Sequence, residues 1–188
     1  MHPWLHFKTI TRHKLLVMHY CFRAGMYKQG LLHDLSKYAP VEFLVGCKYY
    51  QGDRSPNNAE REDTGISKSW LHHKGRNKHH FEYWVDYAPG DEHIINGVPM
   101  PRKYIAEMVM DRISASRNYL GDKYDQHQPL DYYLKGKEKL WFIHPKTKRD
   151  LEGLLRILID HGEEVLISYI KNVYLKKDKA LELSLIHI

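Results

Sequence analysis

Two cysteines in 188 residues leave no material for a disulfide framework. Cys21 and Cys47 suit a reducing compartment, and a cytoplasmic location is expected. Long apolar runs are missing too: none approaches the roughly 18 to 20 residues that cross a bilayer. The first residues show no apolar stretch ahead of a small-residue cleavage site, so no signal peptide is expected. No internal repeat or low-complexity tract stands out. Hairpin signals are lacking as well, because the single Asn96-Gly97 falls in a breaker-rich stretch rather than between alternating strands.

What is present is a chain that is 43% hydrophobic, long enough for one domain with a real core. A single domain over 1–182 is expected. The last six residues, 183–188, read LSLIHI. They match one reading frame of a common transposase sequencing adapter and are expected to be artefactual. Net charge is +6 with histidines neutral, which suits an anionic substrate or a nucleic acid. The 14 histidines are the unusual feature, since ordinary usage gives about four or five at this length.

Apolar residues at three- and four-residue steps predict a helix over 10–29, with Leu15, Leu16, Met18, Cys21, Phe22 and Met26 on its pattern. Gly30 is expected to separate it from a short helix carrying LLHDLSKY, and Pro40 to precede a third helix over 41–50. Residues 51–65 are polar and turn-rich and read as a loop. Ser67 is expected to cap a helix through His73. A turn at Gly75-Arg76-Asn77 and a helical or aromatic segment from His79 follow. Residues 88–101 read as a loop broken by Pro89, Gly90 and Gly97. Residues 102–120 predict an amphipathic helix with Ile105, Met108, Val109, Ile113 and Ser116 on one face. Residues 122–139 are polar and undecided, and 146–176 predict one long helix or two. The fold class is all-α.

Four segments carry chemistry. They are His13 in HKLLV, His33-Asp34 in LLHDLSK, the run HHKGRNKHH from His72 to His80, and Asp111 in VMDRISAS. Imidazole with carboxylate suits divalent Mn, Fe, Co, Ni or Zn. An adjacent His-Asp pair on one helix turn reaches two neighbouring metal positions or shares one, and two His-His arms across a tight turn aim at one spot. Each segment also has a plain reading. A helical His13 can be a surface or core histidine, His33-Asp34 a helix-end ion pair, HHKGRNKHH a basic surface cluster, and Asp111 a solvated acid. His2, His6, His19, His93, His144, His161 and His187 lie in no pattern and are read as ordinary histidines.

Together the four segments, spanning roughly residues 10 to 120, resemble the HD-domain superfamily, which places a His, a His-Asp pair and a later Asp on successive helices. The wording is closest to an uncharacterised bacterial or phage branch, and no GYP motif of cyclic-dinucleotide enzymes is present. The resemblance implies a helical bundle with a metal site at its centre. It implies His13, His33, Asp34 and Asp111 as ligands of one ion. Branches with two ions add three histidines, a place that His73, His79 and His80 fill here, with His72 as the alternate to His73. In this chain the step from His13 to His33 is short, and the three added histidines are compressed into one turn.

The activity implied is metal-dependent hydrolysis of a small phosphoester, a nucleotide among the candidates. Lys37 lies three residues past Asp34 and is expected to face the same pocket and hold phosphate, with Lys74, Arg76 and Arg112 as further phosphate contacts. Asp34 bridges metals or serves as base. Arg54 is read as a solvated loop residue. Two rival readings stand beside this one. The same ligands serve a di-iron oxygenase, and the aromatic-basic stretch from Trp70 to Trp84 suits a non-catalytic nucleic-acid-binding module. Oligomeric state is open.

Overall fold

A computed structural model describes residues 1–88 and 94–176. Pro89, Gly90, His93, His187 and the tail 183–188 lie outside the described residues. Within them the chain is all-α apart from one short two-stranded sheet. Among the described residues no helix is long and apolar enough to cross a membrane.

The first helix, α1, runs Pro3–Arg23. It begins seven residues before the expected start at residue 10, because Pro3 with its fixed φ opens it. Trp4, Leu5 and Phe7 are exposed, so the apolar pattern that marks a helix in sequence is absent from this turn. The buried face of α1 is instead a mixed stripe: His6, Ile10, His13, Val17, Tyr20 and Cys21.

Gly30 does not separate helices, as its breaker character suggested. The break falls at Gly25, with φ +77°, and Gly30 lies inside α2, Tyr27–Leu32. A Cβ on Gly30 would sit 3.0 Å from Cys21 Cβ and 3.0 Å from a Phe22 ring carbon. Glycine there lets α2 fold back onto α1. Residues Leu35–Tyr38 form a 3-10 turn, and Pro40 opens α3, Pro40–Tyr49.

The expected loop 51–65 contains a helix, α4, Pro56–Thr64. Its sequence PNNAEREDT has no apolar stripe to betray it. Pro56 starts it and Gly65, at φ +78°, ends it. The buried Glu60 carboxylate then ties α4 to the next helix. It accepts from Ser67 Oγ at 2.6 Å and Ser69 Oγ at 2.6 Å. It also accepts from the backbone N–H of Lys68 at 3.2 Å and of Ser69 at 3.3 Å. These are the open donors at the start of α5, Lys68–Lys74, where a negative charge is favoured. Ser67 caps α5 as its sequence indicates, accepting from Trp70 N.

The expected absence of a hairpin is corrected. β1, Val85–Tyr87, pairs antiparallel with β2, Ile95–Gly97. The Asn-Gly signal misled because it sits in the strand. A Cβ on Gly97 would lie 2.1 Å from the Phe142 carbonyl, so glycine serves a close backbone approach, not a turn.

The helix α6 spans Arg102–Leu120 and is the axis of the core. It packs against α1, α7 (Gln128–Gly136) and α8 (Pro145–Tyr169). Val17, Cys21, Ile105, Val109, Ile113, Leu151, Leu155 and Leu158 are wholly buried between them. The undecided stretch 122–139 holds α7. The long C-terminal helix is broken at Gly162, whose φ is 83° and ψ 174°.

Glu60 generates a test. Burial alone would raise its carboxyl, but the serine and backbone donors outweigh that and hold it below the ordinary value of 4.5. A depressed carboxylate stabilises fully above 4.5, and the contribution fades as pH falls through the lower folded-state value. Glu60→Gln should lose about 1.5–3 kcal/mol at pH 7, the worth of hydrogen bonds to a charged group. In urea titrations the gap to the wild type should narrow below pH 4.5. A gap that widens on acidification would refute this account.

Candidate metal centre

The His33-Asp34 pair does not lie on one helix turn, as its sequence suggested. His33 caps the end of α2, and Asp34 is left-handed at φ 54°. Asp34 is the sole non-glycine residue at positive φ among the described residues. Such a backbone costs about 1–2 kcal/mol, and strain of this kind collects at functional sites. Here the kink turns two successive side chains inward. Both are buried, His33 at 1% and Asp34 at 2% exposure.

Besides the group His33, His79 and Glu107, the fold assembles around them two groups of side chains with ligand atoms within 4.8 Å of one another. The first is His13, His33, Asp34 and Asp111, drawn from α1, the α2 end and α6. The second is Asp34, His73, His79 and His80, drawn from α5 and the turn after it. Asp34 belongs to both, and its two oxygens divide between them. Its Oδ2 lies 3.3 Å from His33 Nε2 and 3.7 Å from His13 Nε2. Its Oδ1 lies 3.3 Å from His73 Nε2 and 3.5 Å from His79 Nε2. His13 Nε2 is 2.9 Å from Asp111 Oδ1, and His73 Nε2 is 2.9 Å from His80 Nε2. Ligands at about 2.1 Å from one ion are about 3.0 Å apart in octahedral and 3.4 Å apart in tetrahedral arrangement. The observed spacings bracket those values.

Hydrogen bonding separates a metal site from a buried polar network. His13 Nε2, His33 Nε2, Asp34 Oδ1 and His79 Nε2 are all buried without a hydrogen-bond partner. Native interiors rarely tolerate one such atom, and here four converge. His13 Nε2 and Asp111 Oδ1 lie close without hydrogen-bond geometry, as two lone pairs do when both aim at a third point. The buried His, Asp and Glu groups can therefore hold a metal ion.

Two acids that the sequence reading missed fix the imidazoles. Glu107 Oε1 accepts from His33 Nδ1 at 2.9 Å and lies 3.2 Å from His79 Nδ1, which leaves each Nε2 facing inward. Glu42 does the same from α3. It accepts from His73 Nδ1 at 2.8 Å and from His72 Nδ1 at 2.6 Å. That assigns the adjacent pair: His73 faces Asp34, and His72 is turned to Glu42. Carboxylates behind ligating histidines set tautomer and ring orientation. A signal for Glu107 exists in its spacing, one turn before Asp111 on a helix face otherwise apolar. Glu42 carries no comparable signal.

The electrostatics of the group suit a cation. Burial opposes ionisation of Asp34 and Asp111, yet both are held far below the usual carboxylate range, by His33, Lys37 and His73 for Asp34 and by His13 and His33 for Asp111. His33 is pushed up despite its burial, because Asp34, Asp111 and Glu107 surround it. His80 is pushed down by burial and by His79 and His73.

Of the four basic residues expected at phosphate, the structure brings one to the site. Lys37 Nζ lies 2.6 Å from Asp34 Oδ2 and lines a cleft beside the ligand groups. Arg76 is exposed and donates to the His72 carbonyl. The Arg112 guanidinium stacks over Phe81 and Tyr133, 5.6 and 5.7 Å from their ring centres. Lys74 does not line the cleft. Arg54, read as solvated, stands at the cleft mouth and pairs with Glu62. His6, read as an ordinary histidine, lines the same cleft.

The chain belongs to a family of unknown function, DUF5662, whose model matches residues 2–157 and so spans every residue of this centre. No curated protein and no solved structure matches it.

The shared position of Asp34 makes metal stoichiometry a test. Elemental analysis of purified protein should give two ions per chain. Asp111→Asn and His80→Ala should each lose about one, from different groups, and Asp34→Ala should lose nearly both. Equal single losses in all three variants would exclude a bridging Asp34. Glu107→Gln keeps every ligand of the two groups that share Asp34 and should weaken affinity roughly 10–100-fold, read by titration with a competing chelator.

Proposed function

We propose that the protein is a metal-dependent phosphohydrolase of HD type acting on a small phosphoester. The observation that carries this reading is Asp34 spanning two ligand groups beside Lys37, whose ammonium lines an adjoining cleft. Divalent ions in such a site supply a water that deprotonates near neutral pH and a Lewis acid for phosphoryl oxygens.

The chain's own residues do the rest. Asp34 presents one oxygen to each of the two groups and would help hold an ion in either. Its backbone kink turns it inward, and the Lys37 ammonium lies 2.6 Å from its Oδ2. Glu107 and Glu42 hold the imidazoles with Nε2 inward. Lys37 has three donors, of which Asp34 uses one. Burial opposes its charge, but Asp34 and Asp111 outweigh that and raise its pKa, so the ammonium persists to receive a phosphoryl oxygen. In the net reaction a bond forms from water oxygen to phosphorus and the ester P–O bond breaks. One water proton ends on the leaving alcohol.

A nucleic-acid platform is disfavoured by where the indoles go. Trp70 packs on His73 and His80, 5.6 and 4.7 Å between ring centres. Trp84 donates Nε1–H to the Lys78 carbonyl. Both are engaged internally rather than offered to bases.

The test is a screen of phosphomonoesters, phosphodiesters and nucleotides with Mn, Fe, Co, Ni, Zn and Mg. Hydrolysis of at least one class is expected. Lys37→Ala should raise KM about tenfold or more with metal content unchanged. Silence across the screen, with oxygen consumption by the iron-loaded protein, would put the oxygenase reading in its place.

A further inference from the structure

Beside the metal centre a cleft opens between α1, α3, the end of α6 and the start of α4. Its inner wall is formed by Lys37 and Glu42, whose far sides touch Asp34 and His73. The remaining wall is mostly polar, from His6, Thr9, Tyr50, Arg54, Ser55, Asn57 and Tyr119. Ile10 and Pro56 are the apolar exceptions.

Several of these groups have unused hydrogen-bonding capacity. Among the described residues the Tyr119 hydroxyl has no hydrogen-bond partner, and Tyr119 lies on α6 two turns beyond Asp111. His6 Nδ1 is buried and unpartnered. Its other edge abuts Gly46, where a Cβ would fall 2.0 Å from Nε2, so the ring cannot swing away. The Thr9 hydroxyl donates to the Leu5 carbonyl at 3.0 Å. The Tyr50 hydroxyl, 3.0 Å from it, is therefore the donor between them and keeps its own lone pairs free. Burial and the Lys37 charge hold His6 down to about 4, so its imidazole is neutral and contributes a dipole, not a charge.

Shape narrows the ligand further. The free volume is about 50 Å³, room for roughly three or four water-sized groups. No slot between parallel rings is present: His6 and Tyr50 meet edge-on at 69° with centroids 6.2 Å apart. Bases are held by stacking on ring faces, and these two rings form no slot for one.

We propose that this cleft is the subsite for the alcohol portion of the substrate and takes a small polyol, so that the ester is a polyol or sugar phosphate and not a nucleotide. The phosphoryl group lies at the Lys37 end and the hydroxyls reach toward Tyr119 and Tyr50. A site built to hydrogen-bond hydroxyls rejects an analogue lacking them, because its own polar groups are then left unpaired. The inference rests on the phosphohydrolase reading for its chemistry, but binding alone tests the subsite.

The probes are two phosphonates that cannot be hydrolysed, 3,4-dihydroxybutylphosphonate and butylphosphonate, titrated calorimetrically into the metal-loaded protein. The dihydroxy compound should bind at least tenfold more tightly. Tyr119→Phe and Thr9→Val should each shrink that ratio to about threefold or less, with metal content unchanged. Equal binding of the two probes, no binding of either, or a ratio untouched by both variants would overturn the subsite. Adenosine monophosphate hydrolysed with a higher kcat/KM than glycerol phosphate would overturn it as well. If the ratio is found and no phosphoester is turned over, the subsite stands and the hydrolase reading falls. Hydrolysis without a hydroxyl preference gives the converse.

Discussion

The structure turns on one buried carboxylate. Asp34 sits at 2% exposure on a backbone conformation that aspartate adopts only at a cost, and each of its oxygens faces a separate set of imidazoles. An isolated carboxylate in such a place would take up a proton rather than stay charged. Asp34 stays charged because Lys37 lies against Oδ2 and because the imidazoles around it can accept a proton or a metal. Much else in the fold follows. α1 must bring His13 to it, α6 must bring Asp111, and α5 with its following turn must deliver three histidines from the opposite side.

Charge balance favours a cation there. Asp34, Asp111, Glu42 and Glu107 are four acids around one centre. Lys37 is in contact, and Lys14 stands further off with its ammonium on the carbonyls of Leu31 and His33. Neutral imidazoles add nothing to that account. Protonation of His33 meets part of the deficit, which is why its pKa rises in spite of burial. A divalent ion meets it without asking a buried ring to carry charge, and its arrival displaces the proton. Glu42 and Glu107 then have two tasks: they orient rings, and they make the ligands more basic toward the ion.

The side chains that the fold gathers at the centre were legible in the sequence because residue type alone marks them. Histidine is rare, and seven candidate ligands in four segments form a pattern before any helix is placed. The helices of the core were legible for a similar reason, since α6 shows its apolar face in Ile105, Val109 and Ile113. What escaped was whatever carried no apolar rhythm. α4 is polar throughout and is held by Glu60, a contact between α4 and α5 that no local pattern reveals. The first turns of α1 expose their aromatic residues and bury His6. Glu42 and Tyr119 act across the fold, where one sequence gives no register between elements. The His33-Asp34 pair was located correctly but given the wrong backbone, because two inward-facing neighbours need a kink that regular helix does not allow.

Positive charge looked, in sequence, like a substrate signal repeated at every motif. The structure divides it by task. Lys14 ties down the end of α2 through two carbonyls, Arg76 donates to the His72 carbonyl, and Arg112 is spent against aromatic rings. Lys37 alone faces both ways, with a carboxylate on one side and open cleft on the other. That position makes it the link between the centre and the cleft. Its ammonium lines the cleft with Asp34 against it, while Glu42 in the same wall has both oxygens occupied by His72 and His73 and so repels an anion less than a free acid would. Which donors the fold has already used, and which it leaves at Lys37, sets what charge the inner end of the cleft can receive.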